Sequence, residues 1–362
     1  MSDKFRFGLE AEFMLASTTD YRPLWYKDVD FKTLDRIFES ISLEGIPTLE
    51  GLAAEPPHKK MMPFIVEGYG IPDANFEIHD AYPKGIEIRT PVCESLDQVF
   101  EVYEDLYGRV KKALGLEGMI PVAISHHPIE HKFVGPQNKR RHDFWLWAME
   151  VMTTYGPDIN VSFPKKITDK LFSDIEDLNA KVNYYAPAMA AISLSSPFLQ
   201  GKPWLHKGQL GKSYRTFKRS VVAPAIELHA DENFRIEFKV FEMSKRSSDF
   251  KEYFLLVLAL FLDEGLKGRS SNQERIYDSG TVARFGLNAE GMRERLVELY
   301  LRAPAILTEH GFDPAPLKNL AKRIEKNLSP SDEMVELFNQ GMSLNDIMKE
   351  FSYLETLNGT RI

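Results

Sequence analysis

The chain has 362 residues, enough for one large domain or two ordinary ones, and its 43% hydrophobic content can supply a substantial core. Its 53 acidic and 45 basic side chains leave a net charge of −8, which argues against broad nucleic-acid affinity through counterion release. The longest apolar run, residues 253–262, is about half of the roughly 20 residues needed to cross a bilayer, so we expect no membrane span.

Two features of the sequence predict a cytoplasmic protein. The chain begins MSDKFRFGLE, which is strand-like and lacks the charged and then apolar pattern of a signal segment. The only cysteine, Cys93, can form no internal disulfide.

The first half of the chain alternates predicted strands with predicted helices. Polar and apolar residues alternate over the strands 5–15, 83–90, 119–125 and 157–163. Apolar residues recur at helical spacing over 30–43, 96–114 and 143–153, and Ser95 with Gln98 makes a capping box before the second of these helices.

The second half is mainly helical. A helix over 174–195, in which Pro187 could introduce a kink, precedes a strand over 234–242 and an apolar helix over 248–266 that we expect to be packed on several sides. Amphipathic helices follow over 288–311, 315–328, 331–340 and 343–353. These patterns predict an α+β domain over residues 1–285 and a helical C-terminal subdomain over 286–362. The C-terminal helices could cover the sheet or form a homo-oligomer interface, and the sequence leaves both open.

The strands favour an antiparallel sheet with one functional face. Helical connections between strands would also suit a parallel sheet. Polar residues at alternate positions within each strand, however, are typical of an antiparallel sheet that is buried on one side only.

The first strand places two carboxylates on one face of the sheet. Glu10 and Glu12 are two residues apart, and alternate strand residues project to the same side. A partly buried carboxylate pair is costly unless a cation compensates it, and Mg²⁺ prefers such oxygen ligands. The alternative is an edge strand with a solvated acidic face. The apolar set on the opposite face, together with Gly8, which leaves room for a close approach, weakens that alternative.

Three later strands carry similar polar pairs, each with a simpler interpretation. Glu87 could merely neutralise Arg89, and Glu237 with Lys239 could be the alternating charge of a half-exposed strand. A further strand carries Asp158, Asn160 and Ser162 on one face. No single pair is specific, but four strands with such faces together favour a functional site.

Other classes of site have weaker support. His126, His127 and His131 lie close together in sequence, with His142 further along. Adjacent residues of a strand point to opposite faces, however, and no second motif with zinc-ligand spacing accompanies them. The sequence has no Gly-x-Ser-x-Gly elbow, no Walker lysine loop and no Gly-x-Gly-x-x-Gly after a strand, and Cys93 has no evident base beside it. If the protein uses a nucleotide, we expect metal ions and scattered cations to bind it.

Six segments, in this order, resemble the glutamate–cysteine ligase-like carboxylate-amine ligases. They are FGLEAEF at 7–13, GIEIRTPVC at 85–93, GPDINVSF at 156–163, SSPF at 195–198, SYR at 213–215 and IEFK at 236–239. That family is similar in fold to glutamine synthetase. The resemblance therefore implies a curved, mainly antiparallel sheet flanked by helices, whose concave face holds ATP, metal ions and an amino-acid substrate.

The resemblance also implies roles for matching residues. It makes Glu10, Glu12, Glu87 and Glu237 metal ligands and Arg215 a clamp for phosphate or a substrate carboxylate. Two positions depart from the family pattern: Asp158 stands where a metal-binding histidine is usual, and Lys239 where an arginine is usual. Asp can still bind Mg²⁺, and Lys can still neutralise phosphate without bidentate geometry.

The expected activity is an ATP- and Mg²⁺-dependent ligation of a carboxylate to an amine. Family likeness implies glutamate as the carboxylate, and the sequence does not identify the amine. We expect Glu10, Glu12, Glu87, Asp158 and Glu237 to hold the metal ions, and Arg215 and Lys239, with Asn160, to bind phosphate oxygens. One alternative is a glutamine synthetase-like protein that binds nucleotide or metal without ligating. Another is a guanidino kinase, for which Cys93 is poor evidence.

Overall fold

The computed structural model describes residues 3–75, 77–133, 149 and 151–362. His142 and residues 143–148 and 150 of the predicted helix over 143–153 lie outside the described residues. The last three residues of that helix form a 3₁₀ turn, Val151–Thr153.

The centre of the fold is a curled antiparallel sheet, as the sequence predicts. Its strands run in the order β10-β11-β5-β1-β3-β2, and β4 pairs with the second half of β1. Their bounds are β1 Arg6–Ser17, β2 Phe64–Pro72, β3 Ile78–Arg89, β4 Met119–Val122, β5 Pro157–Ser162, β10 Ile226–His229 and β11 Arg235–Phe238. Two small hairpins pair β6 Phe198–Leu199 with β7 Lys202–Pro203, and β8 Leu205–His206 with β9 Gln209–Leu210.

Two strands of the main sheet were missed in the sequence. The strand β2 contains Gly68, Gly70 and Pro72, which are residue types depleted in strands, and its hairpin with β3 supplies the pairing that its composition does not suggest. The strand β10 has four residues and pairs antiparallel with β11. Four residues are too few to show strand periodicity in the sequence, so the pairing with β11 determines the conformation of β10.

Helices flank the sheet and make up most of the C-terminal part. Their bounds are α1 Phe31–Glu39, α2 Leu96–Leu116, α3 Lys165–Leu171, α4 Ile175–Ala190, α5 Tyr214–Arg219, α6 Ser247–Leu262, α7 Asn272–Phe285, α8 Met292–Glu309, α9 Leu320–Lys326, α10 Pro330–Asn339 and α11 Leu344–Glu350. The predicted helix over 174–195 ends at Ala190 but continues through Pro187. The helix over 315–328 is a 3₁₀ turn, Ala315–Asn319, followed by α9. The helices α3, α5 and α7 were not predicted.

One apolar core joins the sheet to the helices. Phe7, Leu9, Ala11 and Phe13 lie on the buried face of β1, as the alternation predicts. The helices α2 and α6 pack against the sheet, and α8 packs against α6 and α4. The division at residue 285 stays a prediction. Within the described part of the chain, no helix is both long and apolar enough to span a membrane.

Candidate active site

The polar face of the sheet forms the wall of a cavity of about 970 Å³. Antiparallel register brings side chains of neighbouring strands together there: Glu10 of β1 lies opposite Arg89 of β3 and Asp158 of β5, and Glu12 lies opposite Glu87. All five carboxylates predicted as metal ligands line this cavity, as do Asn160 and Lys239. Residues that are far apart in sequence thus share one site because adjacent strands of the sheet carry them.

Three of these carboxylates form a compact group. One ligand oxygen each from Glu10, Asp158 and Glu237 lies within 4.8 Å of the others. Burial, with repulsion from Glu237, raises the pKa of Glu10. Burial likewise raises the pKa of Asp158 to about 8, although Lys239 opposes the shift. Three crowded carboxyls of this kind suit a hard divalent cation, which takes oxygen ligands and stabilises their charged forms.

Basic side chains surround Glu237. Arg235 Nη1 lies 3.1 Å from its carboxylate and His229 Nε2 lies 2.9 Å away, and Lys239 makes a short ion pair with it. Burial would raise the pKa of this carboxyl, but the attraction of Lys239 outweighs it and holds the pKa at about 2. Lys239 also lies 3.5 Å from Asp158 and 3.2 Å from Glu227. Its ammonium therefore partly neutralises the cluster of carboxylates that Glu10, Asp158 and Glu237 form.

Asn160 orients two side chains of the site, Glu10 and Arg235. Its Nδ2 donates to Glu10 Oε1 at 3.0 Å, and its Oδ1 accepts from Arg235. Because the amide both donates and accepts here, it fixes Glu10 relative to Arg235.

Glu12 lies at the other end of the cavity and has different partners. The Lys84 ammonium donates to Glu12 Oε1 at 2.7 Å, and the Gly156 amide donates to Glu12 Oε2 at 2.8 Å. Lys84 lies 3.3 Å from Glu67, a carboxylate of β2. Burial raises the pKa of Glu67 to about 7, whereas the pKa of Glu12 is lowered because Lys84, helped by Arg219, outweighs burial.

Glu87 and Arg89 are not partners in an ion pair. Arg89 donates to the carboxylate of Glu55 at 3.1 Å and to the carbonyl oxygens of Ala53 at 2.8 Å and Met62 at 3.2 Å. Burial and the repulsion of Glu10 raise the pKa of Glu87 well above its usual value. Arg89 thus ties β3 to the segment that forms one wall of the cavity.

Arg215 and Arg219 of α5 lie one helical turn apart in different surroundings. Arg215 is buried, donates to the Phe241 carbonyl oxygen at 3.0 Å, and lines a second, smaller cavity that shares Arg219 and Lys239 with the first. Its guanidinium passes so close to Gly156 that a Cβ there would lie 2.1 Å from Nη2. Arg219 lines both cavities, and its buried Nε has no hydrogen-bond partner among the described residues.

Sequence reasoning missed Lys84, Glu67, Arg219 and His229, and it interpreted Arg235 only as part of the alternating charge of its strand. A spacing of four residues on one helix could have linked Arg219 to Arg215. The other three lie on β2, on β10 or at an irregular position of β3, and no periodicity in the sequence marks them.

The rival sites have structural explanations. His126 donates to or accepts from Thr153 Oγ1 at 2.8 Å, and the His127 ring packs against Trp25. Burial lowers the pKa of both histidines to about 3. Neither belongs to a group of three metal-ligating side chains within the described part of the chain. Cys93 is buried, which raises its thiol pKa to about 11 and makes it a poor nucleophile.

Comparison with known sequences points to one family. The profile of the Glutamate-cysteine ligase family 2 (GCS2) matches residues 6–207, more than half of the chain. Two curated proteins named "Putative glutamate--cysteine ligase 2" are similar: the one from Jannaschia sp. is 28% identical over 123 residues, and the one from Rhodospirillum rubrum is 27% identical over 157 residues. These alignments span 32% and 42% of this chain, and only 31% and 38% of the two relatives.

Solved structures share the fold. A glutamate–cysteine ligase from Francisella tularensis, crystallised with AMP, superposes with a TM-score of 0.62 over 97% of this chain and 88% of its own, at 12% identity. A bifunctional glutathione synthetase from Pasteurella multocida superposes with a TM-score of 0.61 over 97% of this chain and 52% of its own, at 13% identity.

Proposed function

The chain belongs to the glutamate-cysteine ligase family 2, and from this premise we propose that it is an ATP- and Mg²⁺-dependent carboxylate-amine ligase. The observation that carries the proposal is the convergence of Glu10, Asp158 and Glu237 with Lys239 and Arg219 in one cavity. Metal-binding carboxylates beside phosphate-binding cations are what transfer of a phosphoryl group requires.

The proposed reaction has two steps. Joining a carboxylate to an amine in water is uphill, so a substrate carboxylate oxygen first takes the γ-phosphoryl group of ATP and ADP leaves. The amine nitrogen then attacks the acyl phosphate carbon and phosphate leaves with the former carboxylate oxygen. Both steps concentrate negative charge in one place, which preorganised cations stabilise.

The carboxylates on the polar face fit Mg²⁺. We assign it to Glu10, Asp158 and Glu237, with Glu87 beside them, because hard cations take several oxygen ligands. When bound, Mg²⁺ would supply positive charge to the phosphate oxygens. Asn160 holds Glu10 in place for this role.

Basic residues supply the rest of the positive charge. We assign Lys239 and Arg219 to phosphate oxygens, since both line the cavity beside the carboxylate group. Arg215, which the family resemblance implies as a clamp, lies behind Arg219, and we retain it as a cation that supports the site from the smaller cavity. The acyl donor that we propose is glutamate, through its γ-carboxyl group; the acceptor is cysteine or another amine.

A coupled assay tests this proposal. ADP and phosphate release from ATP, with Mg²⁺ and glutamate, is measured against a panel of amines including cysteine. We expect amine-dependent ADP release in the wild type and its loss in Glu237→Gln. The matched control is Glu232→Gln, at an exposed position on the rim of the same cavity, which should retain turnover. Amine-independent ADP release, or equal turnover in Glu237→Gln, would contradict the proposal.

One observation favours a second candidate, a protein that binds nucleotide or metal without ligating. Lys239 contacts Asp158, Glu227 and Glu237, so an ammonium already neutralises carboxylates that a ligase would use for metal. Metal-dependent ATP binding with no ADP release for any amine would support this candidate instead.

A further inference from the structure

A β-bulge directs the ammonium of Lys84 to Glu12, a residue that lines the active-site cavity. In the pairing of β2 with β3, Glu67 lies opposite Gly85 and Gly68 lies opposite Pro83, so Lys84 is an extra residue on β3. Strict alternation would send Lys84 to the apolar face that Ile86 and Ile88 occupy. The bulge instead lets its ammonium reach Glu12 on the polar face.

Close packing at Gly85 fixes this local geometry. A Cβ at Gly85 would lie 2.2 Å from the Phe13 carbonyl oxygen and 2.9 Å from the Tyr155 ring, so only glycine fits beside β1. The Tyr155 hydroxyl donates to the Lys84 carbonyl oxygen at 2.7 Å. The backbone that carries Lys84 is therefore held on both sides.

Three oxygens enclose the ammonium of Lys84, which donates hydrogen bonds to Glu12 and to the Thr154 carbonyl and forms an ion pair with Glu67. It lies 2.7 Å from Glu12 Oε1, 2.8 Å from the Thr154 carbonyl oxygen and 3.3 Å from Glu67 Oε2. An ammonium has three donors, and three oxygens surround this one. Lys84 is only 7% exposed, so its charge is compensated by these neighbours rather than by solvent.

Both carboxylate oxygens of Glu12 accept hydrogen bonds from protein groups. Lys84 holds one of its oxygens and the Gly156 amide holds the other. Within the described residues, no group of three potential metal ligands includes Glu12, whereas Glu10 belongs to one. The two glutamates of one strand thus face different cations, although the sequence assigns both to metal.

We propose that Lys84 supplies, at the Glu12 end of the site, the positive charge that a divalent metal ion would otherwise supply, so that metal binds only at the Glu10, Asp158 and Glu237 end. A divalent ion near Glu12 would meet the repulsion of a buried ammonium without a group of three ligand oxygens among the described residues to offset it, whereas the oxygens of Glu10, Asp158 and Glu237 together offset the charge of Lys239 beside them. This inference rests on the proposed function, since it concerns where metal binds within the proposed ligase site.

Counting bound Mn²⁺ in the absence of nucleotide tests this inference. Calorimetric titration gives the number of ions per chain, and we compare the wild type with Lys84→Met, which keeps most of the apolar stem and removes the charge. We expect Lys84→Met to bind one Mn²⁺ more than the wild type. The double variant Lys84→Met/Glu12→Gln should lose that extra ion. An unchanged count in Lys84→Met would overturn the inference.

Two further variants keep the test decisive if Lys84→Met does not fold. Glu12→Gln alone should bind as many Mn²⁺ ions as the wild type, because Glu12 serves Lys84 and not a metal; a lower count would overturn the inference. Lys181→Met is the matched control, since Lys181 is 6% exposed and donates to the Asp263 carbonyl oxygen at 2.8 Å, away from the cavity. Its Mn²⁺ count should equal that of the wild type.

Failure of this inference and failure of the ligase proposal give different results. Mn²⁺ counting requires no turnover, so a chain without ADP release could still show the expected counts. In that case the ligase proposal fails and the role of Lys84 stands. If the chain is an active ligase but the count in Lys84→Met is unchanged, the ligase proposal stands and the role of Lys84 fails.

Discussion

Replacing Arg219 should weaken ATP binding while leaving the fold intact. Its guanidinium lines the cavity, and its buried Nε has no hydrogen-bond partner among the described residues. Its charge already contributes to lowering the pKa of Glu12, so its field reaches the carboxylates of the site. Its positive charge is therefore placed to attract an anionic ligand in the cavity.

The magnitude follows from the energy of a charge-assisted hydrogen bond. Such a bond contributes about 1.5–3 kcal/mol, and each 1.4 kcal/mol corresponds to about a tenfold change in Kd. Arg219→Met, which keeps the apolar stem, should thus raise the Kd for ATP with Mg²⁺ by about 10- to 150-fold. The Kd of Arg219→Lys for ATP should lie between those of the wild type and Arg219→Met, because a lysine restores the positive charge without the planar guanidinium.

Calorimetry or fluorescence titration with ATP and Mg²⁺ measures this effect. Lys218→Met is the control, since Lys218 precedes Arg219 on α5 but packs its ammonium over the Tyr214 ring, 5.6 Å from the centroid. Thermal unfolding of each variant checks that the fold persists. An ATP affinity in Arg219→Met equal to that of the wild type would refute our assignment of this residue to phosphate.

Three other predictions concern the metal group, the buried histidines and the bulge. Glu10→Gln should weaken Mn²⁺ binding by about tenfold or more, because ligand charge sets affinity at such sites; an equal affinity by titration would exclude Glu10 as a ligand. Burial holds the pKa of His126 at about 3, below the value of about 6.5 in an unfolded chain. Only the unfolded state takes up a proton as pH falls below that value, so this group should cost about 2 kcal/mol of stability between pH 7 and pH 5. Urea unfolding should show a flatter pH dependence for His126→Gln, and equal slopes would contradict the reasoning. Gly85→Ala should destabilise by about 1–3 kcal/mol or more through overpacking, whereas Gly108→Ala in α2, where a Cβ meets nothing within 4 Å, should stabilise by about 0.5–1 kcal/mol; equal unfolding free energies for the two variants would refute the close-packing argument.

The polar face of the sheet could be predicted because strand periodicity is a local property. The alternation of Phe7, Leu9 and Phe13 with Glu10 and Glu12 determines which side of β1 is buried, whatever its neighbours are. The same alternation predicted polar faces on three later strands, and the family resemblance joined them into one ordered set. Antiparallel pairing then brought the carboxylates into one cavity, as expected.

The partners of those carboxylates could not be predicted in the same way. Lys84 reaches Glu12 only because a bulge breaks the alternation of β3, and the bulge depends on a pairing with β2 that the glycines of β2 conceal. Arg219 reaches the cavity because of where α5 ends, which is a tertiary property. Local patterns therefore predicted the acidic residues on β1, β3, β5 and β11, whereas Glu67 on β2 was missed, and long-range packing decided which cation each carboxylate meets.

The most direct test of the ligase proposal follows the oxygen atoms of the acyl donor. Glutamate labelled with ¹⁸O in its γ-carboxyl group is incubated with ATP, Mg²⁺, the protein and the amine that supports ADP release, and the phosphate is analysed by mass spectrometry. Our account predicts that the released phosphate carries one ¹⁸O atom from the carboxylate, because that oxygen leaves with the phosphoryl group. Phosphate that is unlabelled, or labelled only when the water contains ¹⁸O, would show hydrolysis of ATP without carboxylate activation and would contradict the account.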